Sequence, residues 1–177
     1  MSASEQVRRP HIRVGVVLAL AVVGLLGLGA WLALRLNTQV NREAQVAERG
    51  AAVMPFDLER TTHSFTAAAD GGRQQVVADD PTDGEQVALI RTHLQVEATK
   101  FQRGDFSDPA AIHGDGMPGI AELRQGYAQI DVAYSALADG AEIRYTTSDP
   151  AMVAALQAWF QAQRGDHGGH AMDHSAP

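Results

Sequence analysis

No cysteine occurs among the 177 residues. That absence removes disulfides, thiolate metal sites, a lipid-modified N-terminal cysteine, covalently attached c-type haem and a cysteine nucleophile. Basic residues are scarce beyond the N-terminal region: residues 36–177 carry ten Lys and Arg against twenty Asp and Glu, a formal charge of −10. Phosphate backbones are bound by basic stripes, so the composition speaks against nucleic acid as a partner, and it would repel anionic lipid headgroups. Lacking disulfides, the exterior part must rest on its hydrophobic core, and roughly 110 residues suffice for one domain.

What the chain does have is one long apolar run. Val14 to Leu34 is twenty-one residues without a charge. A helix rising about 1.5 Å per residue crosses the hydrocarbon of a bilayer with roughly 20 apolar residues. Arg8, Arg9 and Arg13 precede the run and no comparable basic cluster follows it, which predicts a cytoplasmic N-terminus and an exterior C-terminal part. Cleaved signals have shorter apolar cores, about 7–15 residues, followed by a small-x-small site. Here Gly27-Leu28-Gly29-Ala30 lies inside the run, so a retained signal anchor is expected. Pro10-His11-Ile12-Arg13 fits twin-arginine export poorly. The expected organisation is a cytoplasmic basic tail at 1–13, a transmembrane signal anchor at 14–34, a polar stalk at 35–54, an extracytoplasmic domain at 55–165 and a flexible His/Met-rich tail at 166–177.

Within the domain a weak repeat recurs at an offset of 69 residues: Ala69-Asp70-Gly71 with Ala138-Asp139-Gly140, and Asp80-Pro81 with Asp149-Pro150. Phe65 then matches Tyr134 and Ile90 matches Trp159. Asp-Gly between alternating segments signals a hairpin with positive φ at the turn, and Asp-Pro starts a helix. The first half predicts strands near Thr61–Thr66 and Arg73–Ala78, then a helix from Pro81 to Arg103 with Val87, Ile90, Leu94, Ala98 and Phe101 as its apolar stripe. The second predicts strands near Gln129–Ser135 and Ala141–Thr147, then a helix from Pro150 to Arg164 burying Val153, Leu156, Trp159 and Phe160, ended by Gly165. Two ββα units give an α+β fold, a two-layer sandwich with a four-stranded antiparallel sheet and both helices on one face. Between the halves, the loop Gly104–Gly119 is long enough to be functional, and Phe106, Ile112, Met117 and Pro118 say that it packs. A short helix near Ile120–Gln125 follows.

Three domain histidines are suggestively spaced. Strand alternation and the match of His63 to Val132 turn His63 inward; His93 flanks the helix stripe with Glu97 one turn on; His113 lies in the packed loop. The functional reading is a transition-metal site of neutral imidazoles completed by Met117 or Glu97, imidazole with thioether favouring copper and imidazole with carboxylate suiting zinc. The plainer reading is a hydrogen-bonded core histidine, a surface histidine and a loop donor. In the tail, His167, His170 and His174 with Met172 offer further soft donors for copper. No catalytic residue or organic cofactor is singled out. Gly114–Gly119 matches G-x-G-x-x-G in letters, but no strand precedes it and Pro118 removes an amide donor. Asp105, Asp108 and Asp115 lack EF-hand spacing and read as solvated loop charge.

The segments Thr61-Thr62-His63-Ser64-Phe65, Ile90-Arg91-Thr92-His93-Leu94, Gly104–Gly114 and Met117-Pro118-Gly119 resemble a family of uncharacterised, membrane-anchored, extracytoplasmic bacterial proteins over residues 56–167. Members sometimes carry the label aspartate carbamoyltransferase, although the chain has no Ser-Thr-Arg-Thr-Arg motif and no length for two α/β domains. The resemblance implies a shared site at His63, His93 and His113 without naming its ligand. Three functions are weighed: a membrane-anchored copper-binding protein, with zinc as the alternative ion; a non-catalytic accessory protein of a membrane complex, which would show an exposed apolar patch; and a hydrolase using His113 with Asp115. The first predicts imidazole nitrogens within about 4 Å of one another or of a common point.

Overall fold

The computed structural model describes residues 11–167 and 171–172. The chain divides into two units, one ending at Asn41 and one beginning at Arg42. Helix α1 covers His11–Val53. Its part from Leu20 is long and apolar enough, by length and composition, to cross a membrane. Leu20, Leu25, Leu28, Leu32 and Leu36 are all exposed, as expected of a helix that is apolar on every side.

The second unit includes the last turns of α1, which were expected to be spacer. Val46 and Met54 are buried in the core, and Arg49 donates to the Ile112 carbonyl at 3.1 Å. A 3₁₀ turn at Leu58–Arg60, capped by Asp57, leads into β1 (Thr61–Ala68) and β2 (Gly71–Ala78). Then come α2 (Gly84–Phe101), α3 (Ser107–His113) and α4 (Ile120–Gly126). After a 3₁₀ turn at Tyr127–Gln129, the chain forms β3 (Asp131–Ala136), β4 (Gly140–Thr146) and α5 (Pro150–His167), with a two-residue β5 at Ala171–Met172.

The sheet order is β3-β4-β2-β1-β5. The four long strands are antiparallel as expected, and β5 adds an unexpected parallel edge beside His63 and Ser64. The repeat is visible in the pairing. Thr62 pairs with Val77, and 69 residues later Asp131 pairs with Thr146; at the centre Gln74 pairs with its own repeat equivalent, Ile143. Among the described residues positive φ falls only on glycines, so Asp70 and Asp139 turn without it, and Gly71 (φ 139°) opens β2 instead of centring the hairpin.

Helices α2 and α5 share one face of the sheet. α2 packs mainly on β3 and β4, and α5 on β1 and β2, so each helix covers chiefly the other half's hairpin. They meet at Trp159, whose ring stands edge-on to Phe101 (5.9 Å) and Tyr145 (5.7 Å). Two helix boundaries differ from expectation. Asp80 accepts from the Thr82 amide at 2.9 Å in a turn, leaving Asp83 to cap α2 through Gln86 at 3.2 Å. α5 passes through Gly165 because Asp166, one residue further, is held by tertiary partners. Val153 is half-buried, and Met152 and Ala155 take the core positions. Within the long loop α3 forms, and Gly119 (φ 81°) lets the start of α4 lie on the Ala155 carbonyl, where a Cβ would collide.

Candidate metal centre

A cavity of about 40 Å³ opens where the end of α1, β1, β2, α2, α3 and α5 converge. His63, His93 and His113 all line it, joined by Glu97, Asp108, Gln74, Gln163, Met54 and the rings of Phe56, Phe65, Phe101 and Trp159. Each histidine arrives by a different local rule. His63 alternates inward on β1 and is 5% exposed. His93 sits at the rim of the α2 stripe, half-buried. His113 ends α3, and its imidazole is buried beneath α5.

Partners fix the chemistry of each group. The His113 ring nitrogen Nδ1 meets Asp166 Oδ2 at 2.9 Å, and Arg42 grips the same carboxylate with two nitrogens, Nη2 to Oδ2 at 2.7 Å and Nε to Oδ1. With Asp166 ionised, Nδ1 is the donor and the lone pair resides on Nε2. Burial pushes the His113 pKa down, against the partly compensating pull of Asp166. Burial likewise lowers that of His93, so both rings are neutral near pH 7. For Asp166 burial acts upward, but the bonds from Arg42 and His113 prevail and hold it below the usual carboxylate range.

Across the cavity, Glu97 is buried and Lys100 Nζ stands 3.0 Å from its Oε1. Burial, reinforced by a hydrogen bond with Asp108, raises the Glu97 pKa to about 7. Asp108 goes the other way: burial opposes its charge, yet bonds from Lys100 and Glu97 keep it ionised. Below about pH 7 the cluster is therefore a carboxylic acid beside a carboxylate and an ammonium. Trp159 Nε1 and Gln163 Oε1, both buried on the cavity wall, have no hydrogen-bond partner among the described residues. Buried polar atoms of this kind are ordinarily satisfied by water or by a ligand.

The expected 4 Å convergence is not present. Among the described residues no three His, Cys, Asp or Glu side chains are grouped closely enough to hold an ion. Phe56 packs beside two of the three histidines, its ring lying 5.9 Å from that of His63 and 5.6 Å from that of His93. Met117 is buried in the core but does not line the cavity; the thioether on its wall is Met54. Asp115 is exposed and pairs with Arg124 at 2.9 Å, so the partner of His113 is Asp166 instead. Asp108 is not simply solvated loop charge, since it forms part of the wall, whereas Asp105 accepts from the Ser107 amide at 3.0 Å. His170 and His174 lie outside the described residues, as does the side chain of His167.

Sequence reasoning missed Met54, Phe56, Gln163 and Asp166. Met54 and Phe56 follow a helix read as spacer, and Asp166 follows the glycine read as a helix stop. No protein family, curated protein or solved structure matches the chain.

Proposed function

We propose that this domain binds a single transition-metal ion, copper by preference with zinc as the alternative, and does so outside the membrane that α1 anchors it to, with the N-terminus cytoplasmic. One observation carries the reading: three histidines far apart in sequence line one cavity of about 40 Å³, room for two or three waters or an ion and too small for an organic substrate. Neutral imidazoles are the form that ligates. The His113–Asp166 bond has the character of the outer carboxylate that orients a ligating histidine and fixes its tautomer. Binding would draw His63 and His93 together, with His113 Nε2 and Glu97 as further donors. The His/Met-rich tail, whose Ala171 and Met172 run beside His63 and Ser64, suits delivery of the ion to that edge.

The accessory-protein reading finds less support. Beyond α1, the large hydrophobic side chains exposed among the described residues are Val96 and Tyr127, and two separate residues do not make a docking patch. The test uses the full chain in detergent with His167→Ala, His170→Ala, His174→Ala and Met172→Leu to silence the tail. Competition titration with Cu(I) and Zn(II) chelators should give one ion per chain, lost on adding His63→Ala, His93→Ala and His113→Ala while far-ultraviolet circular dichroism stays unchanged. A parent that takes up neither ion overturns the proposal and directs the search to a membrane-protein partner.

A further inference from the structure

We infer that the outer edge of β1 is a strand-addition site whose occupant is the chain's own C-terminal segment: residues 173–176 continue β5 in parallel along β1 as far as Ala68, and Asp173 fixes them there by pairing with Arg164. No metal is needed for this, and it goes beyond the reading above by giving a tail expected to be flexible a defined place on the sheet.

Two pairs already set the register. His63 lies opposite Ala171 and Ser64 opposite Met172, in a parallel sense. β1 has eight residues and β5 two, so the edge from Phe65 to Ala68 runs on past the end of β5. Residue for residue, Phe65 then falls opposite Asp173 and Ala68 opposite Ala176. The edge of a sheet pairs readily with an extended segment, and one tethered to the same chain has the advantage of effective concentration. Where β5 does pair, the edge is closed: Ser64, on the sheet face that carries no helix, is 8% exposed, whereas Thr62 and Thr66 on that face are half-buried.

The chemistry of the next position favours the same continuation. The Phe65 carbonyl accepts from Arg164 Nη1 at 2.8 Å, which brings a guanidinium from α5 to the edge. Arg164 is half-buried and takes part in no ion pair among the described residues. Strand alternation puts the residue opposite Phe65 on Phe65's own face of the sheet, which α5 covers. That residue is Asp173, an acid where the edge presents a cation. Guanidinium carries a fork of N–H donors, so Arg164 can serve the carboxylate and the carbonyl together. Further along, the Ala68 carbonyl accepts from Gln157 Nε2 at 3.1 Å, a second α5 side chain at the end of the strand.

Because the chain has no cysteine, introduced pairs report the register without interference. Three pairs are compared in the full chain in detergent under mild oxidation: Ser64→Cys with Met172→Cys, Thr66→Cys with His174→Cys, and Thr66→Cys with Met172→Cys. The β1 replacements nearly conserve volume, so folding is little disturbed. Neighbouring strands lie about 4.8 Å apart, within the Cα separation that a disulfide accepts, and the third pair is offset by about 6.6 Å along the strand. The first two pairs should close within the monomer at similar rates, and the offset pair at least about tenfold more slowly. Asp173→Asn should slow closure of the second pair by about two- to fivefold and leave the first unchanged. A second pair that closes no faster than the offset pair means that the segment leaves β1 at Met172, which overturns the inference. Disulfides between chains overturn it as well, since they put another copy's tail on the edge. Closure of the second pair at an unaltered rate in Asp173→Asn removes Arg164 as the holding contact.

Discussion

Glu97 carries a proton that a solvated glutamate would have lost. Its pKa of about 7, against an ordinary 4.5, means that between those pH values the folded chain binds a proton that the unfolded chain does not. That contribution to stability is complete below about 4.5 and is lost as the pH rises to about 7. Glu97→Gln keeps the shape and the donor toward Asp108 but cannot ionise. Its urea midpoint should match the parent at pH 4.5 and exceed it at pH 7.5, a gap of about 1–2 kcal/mol after allowing for residual solvent. The buried imidazoles of His93 and His113 act in the opposite sense below about 6.5, but equally in both proteins, so the difference isolates Glu97. A constant difference across that range would mean Glu97 is ionised throughout. The sequence made the histidines legible because imidazoles on apolar faces stand out. Phe56 and Met54 did not, because nothing in the sequence marks an ordinary apolar residue as part of a cavity wall until the fold sets it beside polar groups.

At the scale of elements, periodicity located α2, α5 and all four long strands to within a few residues. It failed where tertiary contacts override local preference. Gly165 is a sound stop signal, yet α5 continues so that Asp166 reaches His113, 53 residues away, and Arg42, 124 residues away. The polar composition of residues 42–53 likewise hid the few side chains that bind this end of α1 to the core. A chain beginning at residue 42 should keep the unfolding free energy of the full domain. One beginning at residue 55 loses Val46, Met54 and the guanidinium partner of Asp166, at a cost of at least about 3 kcal/mol. Equal denaturant midpoints for the two would restore residues 42–54 to the role of spacer.

The whole domain is two similar halves that cannot be separated. Because α2 lies mainly over the second hairpin and α5 over the first, neither half holds its own core, and Trp159 at the junction reports on both. In a Trp31→Phe chain, Trp159 fluorescence and far-ultraviolet circular dichroism should trace one coincident urea transition in the domain; two resolved transitions would mean the halves fold independently. The same interlocking assigns the cavity to no single half, since His63 and His93 come from the first and Gln163 from the second. The bidentate pair of Arg42 and Asp166 has its own topological consequence. It sets the first and last turns of the domain side by side, so the domain is nearly a closed loop of chain. A short linker could join its two ends, new ends could be opened at the exposed Asp115–Gly116 turn, and every pairing among β1 to β4 would survive in a circular permutant.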